Sequence, residues 1–210
     1  MKACTWSICR LLFCGLLGCC LATPALLKAS PRPEEKPTSA QAGPSDEQMW
    51  AEVMKLAATG PNHEMLKSWA GSWKARTKSW MGPGEAQVTE GSVERSVILG
   101  GRYLKEEYTG MFNGMPFQGL GLTGYDNISK EFVSTWVDNF GTGIMRSRGK
   151  LDSTGKMLTW SATNNDPITK KEVTMKMVNQ VVDPATQVFS MYENREGQEV
   201  KTMEITYTRK

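Results

Sequence analysis

The sequence predicts a mainly β protein: an antiparallel up-and-down barrel of about ten strands, preceded by one or two short α-helices. Three observations carry this. Past Gly71 the chain breaks into short runs that alternate apolar and polar residues, the two-residue period of strands with one buried face. Between the runs stand turn formers such as Gly82-Pro83-Gly84, Asn113-Gly114 and Asp126-Asn127, spaced as in hairpins. Nearly every connection is short, and a meander of that many strands closes more readily than it stays open, because closure removes unpaired edges.

Met1 to residue 20 read as an export signal. Lys2 and Arg10 give a positive start, Leu11 to Leu17 an apolar stretch broken by Cys14 and Gly15, and small residues follow. The stretch is short for a spanning helix, which needs roughly 20 apolar residues. Leu16-Leu17-Gly18-Cys19 resembles the bacterial lipobox, which makes Cys19 the expected lipidation site; ordinary cleavage near Ala22 or Ala25 is the alternative. All five cysteines, Cys4, Cys9, Cys14, Cys19 and Cys20, lie here, so the folded part has no disulfide, thiolate nucleophile or cysteine zinc site.

Residues 21–45 are rich in Pro, Ala, Ser, Thr and Glu, with Pro31, Pro33, Pro37 and Pro44 interrupting any periodicity, and read as a solvated tether. The expected address is therefore a bacterial cell envelope, with the domain held in the periplasm and its membrane contact made through the lipid anchor. Removing Lys2 and Arg10 from the 25 basic side chains leaves 23 against 22 acidic ones, and no clustered basic face suggests a nucleic-acid partner.

Residues 46–70 supply the helices. Ser45 or Asp46 caps the first, Met49, Trp50, Val53, Met54 and Leu56 give it an apolar stripe, and Gly60-Pro61 stops it. The second runs from Asn62 to Ala70 with Met65, Leu66 and Trp69 at helical spacing. Both are expected to plug or flank the sheet, with their Met and Trp residues in the core.

Residues 71–210 form the barrel, with strands expected at Ser72–Trp80, Gln87–Leu99, Arg102–Gly110, Pro116–Tyr125 and Glu131–Asp138. The second half continues with Gly143–Leu151, Met157–Thr163, Lys171–Val182, Gln187–Glu193 and Glu199–Arg209. Gly119 and Gly121, inside a strand pattern rather than between strand and helix, read as a bulge or barrel bend and not a phosphate loop.

Gly71-Ser72-Trp73 opens the first strand after a short helix, and Arg209 lies on the last strand on one face with Met203, Ile205 and Tyr207. Gly71, Trp73 and Arg209 together resemble the signature of the calycin superfamily, the lipocalins and their relatives. That resemblance implies that Trp73 crosses the barrel base with the Arg209 guanidinium stacked on it. A closer resemblance covers roughly Gly60 to the end: His63-Glu64-Met65-Leu66 leading into Trp69-Ala70-Gly71-Ser72-Trp73, then Gly124-Tyr125-Asp126-Asn127, Phe132 to Asp138, and Thr142 to Met145. These are similar to the bacterial domain-of-unknown-function family number 1579, which implies a barrel-like fold and no established activity.

Barrels of eight to ten strands can enclose one small ligand. The alternation offers Glu106, Tyr108, Trp136 and Asp138, with Trp160, Met175 and Met177, as interior residues that would hold a small apolar or amphipathic molecule. The alternative is a filled barrel in which Met acts as gap filler and the protein is structural or works through its surface. Inward Asp138 and Glu106 would need Arg146, Arg148 or Lys105 as partners; Asp138 alternatively caps the turn after it. No enzyme is expected. His63, the only histidine, precedes the barrel, which leaves a strand serine without a near base and a haem without a strand histidine. No cofactor or metal is expected; Met175 and Met177, two residues apart, read as packing rather than metal ligation. Asn127-Ile128-Ser129 matches a glycosylation sequon, without consequence in a bacterial protein.

Overall fold

The computed structural model describes residues 43–82, 84–166, 169–195 and 197–210. The export signal, Cys19 and the tether up to residue 42 lie outside the described residues.

Helix α1, Asp46–Leu56, begins with a reciprocal cap: the Gln48 amide N–H donates to Ser45 Oγ at 3.3 Å and the Ser45 N–H donates to Gln48 Oε1 at 2.9 Å. Asp46 and Glu47 face the positive helix end and Lys55 the negative one. Its apolar stripe is nevertheless exposed. Trp50 keeps 66% of its surface, and Met49, Val53 and Met54 about half of theirs. This overturns the expectation that its Met and Trp residues are core. The reason is that α1 packs on no other element among the described residues. Only its end is tied down, by the Asn127 side chain, whose Nδ2 donates to the Leu56 and Ala58 carbonyls at 2.8 and 2.7 Å.

Helix α2, Pro61–Ser68, behaves as expected. Pro61 sits where its missing N–H costs nothing, and the Gly60 N–H donates to His63 Nδ1 at 3.0 Å. Leu66 and Trp69 are buried against the sheet together with His63, whose ring meets Tyr125 edge-on at 5.9 Å.

Ten strands follow: β1 Gly71–Ser79, β2 Gln87–Ile98, β3 Tyr103–Phe112, β4 Met115–Asp126, β5 Glu131–Asp138, β6 Met145–Leu151, β7 Met157–Asn165, β8 Glu172–Asp183, β9 Thr186–Arg195 and β10 Gln198–Arg209. Each pairs antiparallel with the next, and β10 returns to β1 in the register Trp73↔Arg209 through Ser79↔Met203, so the sheet is a closed barrel. Turn chemistry sets the hairpins. Asn113 and Gly114, at φ of 49° and 74°, supply the two left-handed residues of the tight β3–β4 turn. Two register shifts, at Val181/Asp183 and Lys201/Met203, mark bulges. The register through Gly119 and Gly121 is uninterrupted on both sides, so these glycines are not a bulge.

The inward residues form two apolar clusters. One joins Leu66 and Trp69 of the α2 end to Leu104, Phe132, Leu158 and Trp160. The other holds Trp73, Ala75, Val93, Tyr108, Ile205 and Tyr207. At the base, the Arg209 guanidinium lies 4.3 Å from the Trp73 ring centre and donates to the Ala70 and Ser68 carbonyls, both at 2.8 Å. Trp73 Nε1 in turn donates to the Trp69 carbonyl at 3.0 Å. Gly71, at φ of 125°, leaves room for this clasp, since a Cβ there would stand 2.7 Å from Arg209 Nη1.

Candidate ligand-binding interior

The site is built on β2, β3, β4 and β5, where the two-residue period aims alternate side chains inward. On β5, Trp136 stands opposite Gly121 of β4, and Asp138 opposite Gly119. The indole lies flat over both glycines. A Cβ on Gly119 would come 2.1 Å from Trp136 Cζ2, and one on Gly121 3.3 Å from Cε3. The glycines are therefore the bed of an aromatic ring. Trp136 Nε1 donates to Asp138 Oδ2 at 2.9 Å, while Asp138 Oδ1 accepts from the Phe140 N–H, also at 2.9 Å. The inward and the turn-capping readings of Asp138 are thus both true, one on each oxygen.

Glu106 of β3 faces Arg95 of β2 across the ladder. Arg95 Nε donates to Glu106 Oε2 at 2.6 Å and Nη1 donates to Gln187 Oε1 at 2.8 Å, while the guanidinium lies 4.5 Å from the Tyr207 ring centre and 5.3 Å from that of Trp73. Its side chain is 2% exposed, and a charge so buried is tolerable because carboxylate, amide and aromatic faces surround it. Burial pushes the Tyr207 phenol well above its usual range, and the nearby Glu106 charge adds to this.

Arg95 corrects the expected partners. Lys105, Arg146 and Arg148 fall on outward parity: Lys105 pairs with Glu107 at 2.8 Å, Arg148 with Glu131 at 3.3 Å, and Arg146 is exposed. The signal for Arg95 was present in Val93, Arg95 and Val97, which put an arginine on the apolar parity of β2.

The expected interior residues divide into two groups. Tyr108, Trp160, Met175 and Met177 are buried in the packed wall. Tyr108 Oη shares a hydrogen bond with Thr77 Oγ1 at 3.2 Å, and Trp160 lies over Gly149 with Nε1 donating to Asn179 Oδ1 at 2.8 Å. Glu106, Trp136 and Asp138 are only half-buried although they face inward, and the Glu106 side chain keeps 20% of its surface. Around them stand half-buried Phe117, Phe189 and Met203. Toward the end away from α2, Phe112, Phe117 and Phe140 pack ring against ring at 5.6–6.4 Å, bringing the β3–β4 hairpin and the β5–β6 loop together.

Two concavities of about 400 and 710 Å³ lie on the outer wall over β5 to β10. Tyr192 stands in both, with Lys176 Nζ 5.2 Å and Lys201 Nζ 5.6 Å from its ring centre. Those lysines are paired with Glu199 and Glu204 at 2.9 and 2.7 Å. Among the described residues no group of three or more His, Cys, Asp or Glu side chains could hold a metal ion, and no helix is long and apolar enough to cross a membrane.

Fold and interior define a class: a closed ten-stranded antiparallel barrel, sealed at one end by a short helix and an arginine–tryptophan clasp. The chain belongs to the family described as "Protein of unknown function (DUF1579)", whose model matches residues 58–209. Among solved structures it is similar to the crystal structure of Rv2717c from M. tuberculosis, with 16% sequence identity and a TM-score of 0.54, over 73% of this chain and 99% of that one. At that identity the likeness is one of fold. A redesigned β-barrel matches over 73% of this chain and 98% of its own, at 11% identity and a TM-score of 0.38. Comparison with the curated proteins found no match.

Proposed function

We propose that the barrel binds or carries a small apolar or amphipathic molecule, on an exported domain held at a bacterial cell envelope by a lipid on Cys19. The observation that carries the binding reading is that Glu106, Trp136 and Asp138 face inward yet keep accessible surface, while the opposite end is closed by α2 and Arg209. A filled barrel would bury them like Trp160. Export and anchoring rest on Lys2, Arg10, Leu11 to Leu17 and Leu16-Leu17-Gly18-Cys19 followed by the proline-rich tether. The reading is of a binding protein and not an enzyme.

Native mass spectrometry of the gently purified full chain, with organic extraction, tests it. The expected result is a stoichiometric extra mass that is lost on denaturation, and a Trp136→Ala variant that folds but no longer retains it. A clean apo mass with no melting-temperature shift across a lipid and metabolite panel would overturn the reading in favour of a filled barrel acting through its surface.

A further inference from the structure

Resting on the binding reading above, we propose that the interior selects an apolar molecule bearing a hydrogen-bond donor, an alcohol or an ammonium, and rejects one bearing a carboxylate.

The inward charges of the barrel strands are few. The carboxylates are Glu106, Asp138 and, further along β9, Glu193. Among the described strand residues the inward cations are Arg95, Arg195 and the base residue Arg209, and each is already engaged. Arg95 is held by Glu106, Gln187 and the Tyr207 ring. Arg195 is held by Glu193 at 3.0 Å, and Arg209 by two carbonyls and the Trp73 face. A ligand carboxylate would therefore enter beside carboxylates, in a partly desolvated space, with no cation free to meet it.

A donor meets the opposite situation. Arg95 occupies Oε2 of Glu106, and Oε1 has no hydrogen-bond partner among the described residues. The side chain retains 20% of its surface, so that oxygen is an available acceptor, on the barrel face that also carries half-buried Trp136, Phe117, Phe189 and Met203. The Trp136 face, fixed on its glycine bed, offers an apolar platform for the rest of the molecule, and an ammonium gains additionally from the ring's negative face. Both oxygens of Asp138 already accept, from Trp136 and Phe140, and Glu193 stands out at the exposed end of β9 with a side chain 38% exposed, which leaves Glu106 as the recognising group beside the Trp136 ring.

Calorimetric titration of the full chain with decanol, decylamine and decanoic acid near neutral pH tests the assignment, since the three share one apolar tail and differ only in the head group. The alcohol or the amine is expected to bind at least tenfold more tightly than decanoate. In a Glu106→Gln variant the amide oxygen turns to Arg95 and presents its NH₂ where the free acceptor stood, so the amine is expected to weaken about tenfold while decanoate gains. Decanoate binding as tightly as the other two, or a folded Glu106→Gln variant with the ranking unchanged, overturns the assignment and leaves the binding reading standing. No binding by any of the three overturns the binding reading and the assignment together. Should Glu106→Gln fail to fold, the wild-type ranking alone decides between these outcomes.

Discussion

Gly119 and Trp136 illustrate how two residues on adjacent strands specify one another. The glycine has an ordinary strand conformation, so its lack of a side chain is needed for space and not for backbone freedom. Gly119→Ala is expected to destabilise the protein by about 1–3 kcal/mol, because the new methyl group must displace an indole packed against it. Combined with Trp136→Leu the same change is expected to cost less than the sum of the two, since removal of the ring frees the space. Denaturant unfolding of the four proteins in that cycle measures this, and strict additivity would show that the ring does not depend on its glycine bed. Arg95 teaches a related lesson. An arginine on an apolar parity is read most simply as an exception, yet its neighbours across the barrel turn it into the centre of a polar cluster.

The two helices share helical spacing of Met, Leu and Trp, and the structure separates them. α2 buries Leu66 to 2% exposure under the barrel, whereas α1 leaves Trp50 at 66%. Leu66→Ala is expected to cost about 2–5 kcal/mol, the range for a buried large-to-small change. Trp50→Ser and Met54→Ser are expected to stay within about 0.5 kcal/mol of wild type, as surface substitutions do. A large loss from Trp50→Ser in thermal or denaturant unfolding would show that α1 is packed in solution. Helical periodicity alone did not separate the two, because amphipathicity states that a face prefers cover and not whether cover is available. Among the strands the alternation was legible throughout, and each of the ten expected stretches became a strand, with ends moved by a few residues where bulges and turns intervene.

At the scale of the whole molecule, closure ties the first and last strands together and buries Tyr207 of β10 under Arg95 of β2. The phenol's raised pKa has a definite sign for stability. Both states hold the proton below the ordinary value of 10.0, and the contribution is fully present there. Above it the unfolded chain loses the proton while the folded one retains it, so stability falls as pH rises. The loss is expected to reach up to about 1.4 kcal/mol per pH unit for the one proton. Tyr207→Phe is expected to start less stable, having lost its buried hydroxyl beside Arg95, but to decline less steeply. Denaturant midpoints for both proteins across the alkaline range measure the slopes, and equal slopes would show that Tyr207 titrates as a free phenol.

The order of elements, the ten strands, the turns and most of the inward and outward alternation were determined by the sequence alone, because a period of two and its punctuation are local properties of the chain; the bulges at Val181/Asp183 and Lys201/Met203, which shift the register, were not. The arginine–tryptophan clasp was legible too, since Gly71, Trp73 and Arg209 form a pattern that resembles a known one. What only the tertiary structure decided is which groups meet across the ladder and what is left uncovered. Glu106 takes Arg95 and not Lys105, Arg146 or Arg148; Trp136 is seated on Gly119 and Gly121; the α1 stripe stays bare. Partner choice depends on register and barrel closure, which join residues as far apart in sequence as Arg95 and Gln187. No local pattern encodes that distance.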